Sequence, residues 1–330
     1  MKQYPEEQQF LKQHLSTLSV PEFTQGQQEA LRKEILSLRQ DAKGSTGLHT
    51  LLQLIPFLTI ASLWYALIFI LPAHIHNKVL LFSLLFIAHG ILGYQWVVYG
   101  LHEGAGHGLF LKNKILRFLA FHSSRIMMAD PIYYKQAHYT HHKFVGTDKD
   151  EAQTNFVLLK RIVISLLPGA GILFPNDYRI HKGEGLNGSI ALSSGLGLIR
   201  IYIEYRALNT YLSPVSILVI LLLLSPWVGL TLDRIRESLE HHLMPQSHLY
   251  GTRQLGLSPL ALLISGGPWG QPCHMSHHLA PDFNWYQQLK LHLFLNSLLD
   301  SDQRRFFGFS TTISELIRGE WKKHIFLEKA

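Results

Sequence analysis

The chain has 330 residues, of which 47% are apolar, and a formal charge of +7. This apolar share is high for a soluble enzyme, so a membrane protein is the first class to test. The only cysteine, Cys273, excludes an intrachain disulfide framework and a thiolate-rich zinc or iron–sulfur site, which leaves nitrogen and oxygen as metal ligands. The sequence contains no zinc-finger or RNA-recognition signature, so we expect no nucleic acid partner.

Residues 1–48 form a polar N-terminal segment with two amphipathic stretches, EEQQFLKQHLSTLSV and QEALRKEILSLRQ, separated by Pro21 and Gly26. Apolar side chains recur at helical spacing in both stretches, so each predicts a helix. We expect these helices to lie on the membrane surface or to pack on the cytosolic part, and we expect no secretory signal peptide. Residues 49–330 are predicted to form a single integral-membrane domain.

Long apolar stretches in the remainder predict about four membrane-spanning helices, because some 20 residues at 1.5 Å each cross a hydrocarbon core of about 30 Å. Their predicted bounds are 49–72, 79–101, 189–205 and 211–231. The third contains Arg200 and Glu204, which we expect at a membrane boundary. His89 lies inside the second span and is expected to be a packed core histidine. The stretch that begins at Phe156 is apolar but interrupted by basic residues, so it predicts an interfacial or re-entrant helix.

Basic residues indicate which side of the membrane the loops occupy. The segment between the second and third predicted spans carries eleven Lys or Arg, which is typical of the cytoplasmic side. An even number of crossings would return residues 232–330 to that same side. We therefore predict an all-α fold, a polytopic membrane helical bundle with a cytosolic His-rich helical cap and with both termini in the cytoplasm.

Three closely spaced groups stand out among the 20 histidines. They are His102 and His107; His138, His141 and His142; and His274, His277 and His278. In a helix the positions of HxxHH advance by about 300° and 400°, so three imidazoles leave one face. Chance would produce on the order of 0.1 such patterns at this histidine content, and the chain has two. Eight imidazoles exceed what one ion can use, so we expect two metal ions, although imidazole suits Zn, Cu, Fe and Ni alike.

The boxes HEGAGH, HYTHH and HMSHH, with a pair of spans between the second and third, resemble the histidine boxes of the membrane fatty acid desaturase family. Relatives in that family include hydroxylases, ketolases and terminal-alkene-forming decarboxylases. The resemblance covers roughly residues 50–300. It implies a diiron centre, with two iron ions, that activates O2 and removes hydrogen from an acyl chain, and we assign no catalytic residue beyond the metal ligands.

Two further stretches carry the resemblance. DRIRESLEHH resembles the family's Arg-x-x-x-Glu-His element, which implies an additional ligand at His241, with His242 as the alternative, and a supporting role for Glu240. GTDKDE after the second box resembles the family's acidic loop. This makes Asp148 and Asp150 candidates to accept hydrogen bonds from imidazole N–H groups.

These features predict an O2-dependent desaturase that acts on a fatty acyl or similar lipid chain. Hydroxylation and terminal-alkene-forming decarboxylation are alternatives, because the boxes specify O2 activation and not the fate of the substrate. A membrane metal transporter is an alternative from another class, but its ligands would lie near the bilayer midplane. The sequence has no Rossmann fingerprint and no fused cytochrome element, so we expect a separate ferredoxin or cytochrome-like electron donor, steered by the basic cytosolic face.

The apolar character of an acyl substrate leads us to expect an apolar slot in the protein. An acyl chain left in water would cost about 0.8 kcal/mol per CH2, so we expect the chain to be enclosed between the spans. Trp96 and Trp227, near the cytosolic ends of the second and fourth predicted spans, are candidates to line the slot. An aromatic belt at the membrane interface is the alternative explanation of both residues.

Overall fold

The computed structural model describes residues 21–44, 46–107, 113–127, 130–145, 150, 186–241, 244, 247, 250, 251–269 and 272–309. In this part of the chain every regular element is a helix and no strand is present. The residues divide into two compact units. We call the part drawn from Met1–Ser45, Thr140–Ile164 and Arg234–Ala330 the terminal unit, and the part drawn from Thr46–Tyr139 and Ser165–Asp233 the span unit.

We number the helices in chain order. They are α1 (Gln25–Gly44), α2 (Gly47–His74), α3 (Lys78–Gly104), α4 (Lys114–Ile126), α5 (Pro131–Phe144), α6 (Leu186–Leu208), α7 (Pro214–His241), α8 (Pro259–Ile264), α9 (His274–Leu279), α10 (Trp285–Leu298) and α11 (Ser301–Phe306). Short π-helical turns interrupt α2 at Ala66–Ile70 and α7 at Ile220–Leu224.

Of the helices in the described residues, α2, α3 and α7 are long and apolar enough to cross a membrane. They coincide with the first, second and fourth predicted spans, so the helical character of the fold is confirmed and the chain has the character of a membrane protein. The third predicted span falls on α6, which is not among these three. Arg200, Glu204 and several Ser and Gly reduce the apolar content of α6. The four-span bundle, the cytosolic cap and the cytoplasmic termini stay predictions, and the Phe156 stretch lies outside the described residues.

Short polar side chains fix where several helices begin. The Asn77 carboxamide oxygen accepts two backbone N–H groups of the first turn of α3, at 3.0 and 3.1 Å. Asn113 does the same at the start of α4. Ser213 caps α7, and the next residue, Pro214, has no N–H to satisfy. These caps supply acceptors to N–H groups that have no partner within the first helical turn.

From Val97 onward α3 is π-helical. This π-helical segment, Val97–Gly106, extends two residues past Gly104 and carries His102. Such wide turns are rare and occur frequently at functional sites. Helix α4 approaches this segment at Gly100, where a Cβ atom would lie 2.7 Å from the Ser123 hydroxyl oxygen. Glycine permits this approach without a shift of the serine, so it sets how closely α4 packs on the histidine-bearing segment.

The terminal unit has its own hydrophobic core. Leu31 and Leu38 on one face of α1 are buried against residues of α9 and α10 and the loops beside them; these include Met275, Phe283, Leu291, Leu295 and Phe307. The second amphipathic stretch of residues 1–48 is therefore a helix, as predicted, and its apolar face is covered by protein. The first stretch lies outside the described residues. An Arg39–Asp282 ion pair with an N–O distance of 2.8 Å joins α1 to the loop before α10.

Candidate metal centre

The third histidine box forms the short buried helix α9 in the terminal unit. His274, His277 and His278 are 2%, 0% and 1% exposed, so water is excluded from all three imidazoles. The preceding residue, Cys273, is buried as well, and burial raises the pKa of its thiol to about 12. A thiol with that pKa is not a thiolate at neutral pH and is a poor metal ligand. The donors offered here are therefore nitrogens and carboxylate oxygens.

The Nε2 atom of His274 faces three other potential ligand atoms. It lies 2.9 Å from His241 Nε2 and 3.1 Å from His278 Nε2. It also lies 3.3 Å from a carboxylate oxygen of Glu240, which is fully buried. One proton on His274 Nε2 can serve only one of these acceptors. Ligand nitrogens held about 2.1 Å from a shared ion lie about 3.0 to 3.4 Å apart, depending on the coordination geometry, so this spacing is close to that of a metal site.

The second box contributes two more imidazoles to the terminal unit. His142 Nε2 lies 3.1 Å from His277 Nε2, and both side chains are buried. The His141 ring centroid is 4.8 Å from that of His241 and 5.4 Å from that of His278. The ligand atoms of these last three residues lie within 4.8 Å of one another and could hold a metal ion. We call the six imidazoles the terminal cluster: His141, His142, His241, His274, His277 and His278.

Hydrogen bonds on the far side of two rings fix which nitrogen carries the lone pair. His141 Nδ1 lies 3.0 and 3.1 Å from the two carboxylate oxygens of buried Asp150. His241 Nδ1 lies 3.0 Å from the Gly251 carbonyl oxygen, which can only accept. Both contacts place a proton on Nδ1 and leave the Nε2 lone pair for a ligand, the arrangement found in metal sites. Asp148 and His242 lie outside the described residues.

Burial also keeps two imidazoles of the third box, His274 and His278, neutral. It lowers the pKa of His274 and of His278 well below the ordinary histidine value, and the neighbouring imidazoles lower it further. A neutral imidazole retains the lone pair that a metal ion requires. His274 and His278 are therefore in their ligand form at neutral pH.

Two supporting contacts in the terminal cluster carry no signal in the histidine spacing. Arg236 Nη1 lies 3.1 Å from Glu240 Oε2, so the buried carboxylate has a compensating charge. Gln288 of α10 places its side-chain amide 3.2 Å from His277 Nδ1, and the same nitrogen donates to the Phe283 carbonyl at 2.8 Å. Gln288 follows His277 by eleven positions and was not singled out from the sequence.

The span unit holds a second group, which we call the span cluster: His102, His107 and His138. His107 Nε2 and His138 Nε2 lie 2.6 Å apart, and the ring centroids of His102 and His138 are 4.2 Å apart. Their ligand atoms lie within 4.8 Å of one another. Glu103, which is fully buried, contacts His102 Nδ1 at 3.0 Å, and Tyr134 stacks on the His138 ring at a centroid distance of 5.2 Å. Neither Glu103 nor Tyr134 was singled out from the sequence.

No protein-family model, curated protein or solved structure matches this chain. The resemblance to desaturases therefore rests on the histidine boxes and the two stretches beside them. The geometry adds evidence that is independent of that resemblance. The nine predicted ligand histidines are gathered in two groups that could hold metal ions, and all of them except the half-buried His107 are buried.

The two tryptophans proposed for a substrate slot are both half-buried in the span unit. Trp96 packs edge to face on Trp64, with ring centroids 6.2 Å apart. Trp227 lies in the candidate span α7. Their role in substrate binding stays a prediction.

Proposed function

We propose that the chain is a membrane oxidoreductase that uses two iron ions and O2 to desaturate a fatty acyl chain. The observation that carries the proposal is the convergence of buried imidazoles whose Nε2 atoms face one another at 2.9 to 3.1 Å. Six imidazoles in the terminal cluster and three in the span cluster outnumber the ligands of one ion. Nitrogen-rich sets of this kind suit iron but also zinc and copper, so the metal is part of the proposal.

Iron held by these imidazoles would supply the activation of O2 and the removal of two hydrogens from adjacent unactivated carbons. Reduction of O2 to two waters takes four electrons, of which the substrate C–H bonds provide two. The other two electrons come from the separate ferredoxin or cytochrome-like donor, and the two further protons come from water.

The protein's own residues support this chemistry in three ways. Asp150 and the Gly251 carbonyl orient two imidazoles through their Nδ1 atoms. Arg236 balances the buried charge of Glu240. Met275 and Phe283, which are 0% and 1% exposed, exclude water beside the third box. Exclusion of water protects a reactive oxidant from side reactions.

The positions of two ligands along the candidate spans favour the enzyme over a metal transporter. His241 is the last residue of α7, and His102 lies two residues before the end of α3. A transporter would hold its ion near the middle of such helices. Each position instead supports a metal ligand at the end of a span, beside an apolar medium that could deliver a lipid substrate.

Metal analysis and lipid profiling of one preparation test the proposal. The purified chain should contain two iron ions, and a bacterium that expresses it should accumulate acyl chains with a new double bond, detected by mass spectrometry. His277→Ala should remove both signals, whereas His76→Ala, an exposed histidine between α2 and α3, should remove neither. One zinc and no iron would contradict the proposal. Hydroxylated lipids or terminal alkenes would keep the metal centre and change the reaction.

A further inference from the structure

Helix α4 (Lys114–Ile126) has one face turned into the span unit. Leu116, Ala120 and Ser124 are fully buried, and Ser123 is 4% exposed. These residues recur at helical spacing and pack toward the π-helical segment of α3, where Ser123 meets Gly100. One side of α4 is therefore fixed against the end of a candidate membrane span.

The opposite face of α4 is a continuous stripe that lines an open groove of about 500 Å3. The stripe consists of Lys114, Arg117, Phe118, Phe121, His122 and Arg125. Successive members are three or one positions apart, so they follow one another along a single side of the helix. Helix α4 contains no acidic side chain, so the groove carries only positive charge from its own helix.

Large apolar side chains stand among these cations. Phe118 is 62% exposed and its neighbour Ile115 is 65% exposed. The Arg125 guanidinium lies over the Phe121 ring, 6.0 Å from its centroid, and the Phe118 ring centroid is 4.3 Å from that of His122. Cations alternating with exposed aromatic and aliphatic groups are typical of a helix that lies in the plane of a membrane interface.

The position of α4 in the chain agrees with that pattern. Helix α4 begins ten residues after Gly104, which is the last residue of the candidate span α3. Its contact at Gly100 lies four residues before that end, which is about 6 Å along the helix. A surface beside the end of a span is where phospholipid headgroups lie.

We propose that the outer face of α4 binds the phosphate groups of anionic phospholipids. Lys114 and Arg117 contact phosphate oxygens, while Phe118 and Ile115 enter the acyl region beneath them. An acidic protein would satisfy the cations but would leave the two exposed apolar side chains without a matching medium. This inference does not depend on the metal centre or on the proposed reaction.

A fluorescent label on α4 tests the proposal in the full chain. Cys273 is buried with a raised pKa, so it does not compete for a thiol reagent, and Phe118→Cys provides a single reactive site. The labelled protein is placed in nanodiscs of phosphatidylcholine with increasing phosphatidylglycerol. We expect emission from a polarity-sensitive dye to shift to the blue as phosphatidylglycerol increases, and salt to weaken the shift.

Charge variants on this background identify the site. Lys114→Gln/Arg117→Gln should lower the apparent affinity for phosphatidylglycerol roughly 30-fold, because each cation near an anionic surface contributes about fivefold. Arg206→Gln/Lys290→Gln removes the same two charge types at exposed positions elsewhere and should leave the titration unchanged. If the glutamine pair fails to fold, Lys114→Arg/Arg117→Lys keeps both charges and should retain the dependence on phosphatidylglycerol.

Two results would overturn the proposal. A full blue shift in pure phosphatidylcholine that persists in Lys114→Gln/Arg117→Gln would mean an apolar contact without an anion site. A dye that stays in a polar environment in every nanodisc, and shifts only when an acidic ferredoxin is added, would mean that the face docks a protein.

Discussion

The terminal cluster and a buried group inside the span unit both contain histidine, but they differ in what each imidazole faces. In the span unit His89 Nε2 lies 3.2 Å from Glu204 Oε2, and Trp64 donates its indole N–H to Glu204 Oε1 at 2.9 Å. Arg200 lies over the Trp64 ring at 5.8 Å. Donors meet acceptors and opposite charges lie close together. In the terminal cluster imidazole nitrogens face imidazole nitrogens.

This contrast separates two roles of a buried histidine. A histidine opposite a carboxylate, with a tryptophan donor on the same carboxylate, completes a polar network and holds helices together. Several histidines whose Nε2 atoms meet one another are suited to a metal ion, because one ion accepts several lone pairs at once. Burial alone does not distinguish the roles, since His89 at 3% and His274 at 2% are equally buried.

The largest effect on turnover and iron content is expected for the histidines whose Nε2 atoms face other imidazoles, because these are the predicted metal ligands. His141→Ala or His277→Ala should abolish turnover and lower the iron content of the purified chain, while membrane insertion stays intact because neither residue lies in a candidate span. Iron is measured by plasma mass spectrometry and turnover by product analysis. His89→Ala is the matched buried control and should retain iron. Normal turnover in either ligand variant would exclude that residue from the ligand set.

The partners behind the ligands should have the next largest effect. Asp150→Asn keeps the size of the side chain but removes the charge that His141 Nδ1 contacts. Loss of such a partner lowers metal affinity or activity by about 10 to 100-fold. Titration of the metal-free protein with Fe2+ measures the affinity. Asp282→Asn is the control, because that carboxylate pairs with Arg39 on the surface, and unchanged affinity in both variants would remove Asp150 from the centre.

A third prediction concerns a buried residue whose substitution should lower the stability and leave the iron content unchanged. Glu204→Gln should destabilise the chain by about 3 kcal/mol, because it removes one charge of a buried network, and should leave the iron content unchanged. Unfolding in detergent measures the stability, and a double variant with His89→Leu should be less destabilised than the sum of the two changes. Additive effects would show that the two residues do not act together. A loss of iron in Glu204→Gln would remove the distinction between the two groups.

Some of this arrangement follows from the sequence and some does not. The histidine boxes depend only on local sequence, because HxxHH in a helix puts three imidazoles on one face. Helix α9 has this arrangement. The candidate spans can also be predicted from local sequence, because their length and apolar content define them. Gln288, Glu103 and the Gly251 carbonyl were missed because their contacts depend on tertiary packing. A backbone carbonyl has no side-chain signature. Glu204 was expected at a membrane boundary because it is a charged residue in an apolar stretch, and its contacts with Trp64 and His89 of other helices are not visible in the sequence.

The smallest effect concerns His292, a third kind of buried histidine, which faces a neutral amide. The Gln254 amide nitrogen lies 2.7 Å from His292 Nδ1, and the Gln254 carbonyl oxygen accepts the Met275 backbone N–H at 2.8 Å. The second contact fixes the orientation of the amide, so its N–H donates to the ring and the ring must be neutral. Burial accordingly lowers the pKa of His292 to about 4.

The sign of the resulting pH dependence follows from that shift. The unfolded chain takes up a proton near pH 6.5 and the folded chain only near pH 4, so the stability that the neutral ring contributes is complete above pH 6.5 and is lost as the pH falls toward 4. At pH 5 the loss is about 2 kcal/mol relative to pH 7.5. His292→Gln keeps an acceptor for Gln254 but cannot titrate, so its unfolding free energy should fall by about 2 kcal/mol less over this range. Equal slopes in the two proteins would mean that His292 is solvated like an ordinary histidine, and that the atom opposite a buried ring does not decide its protonation.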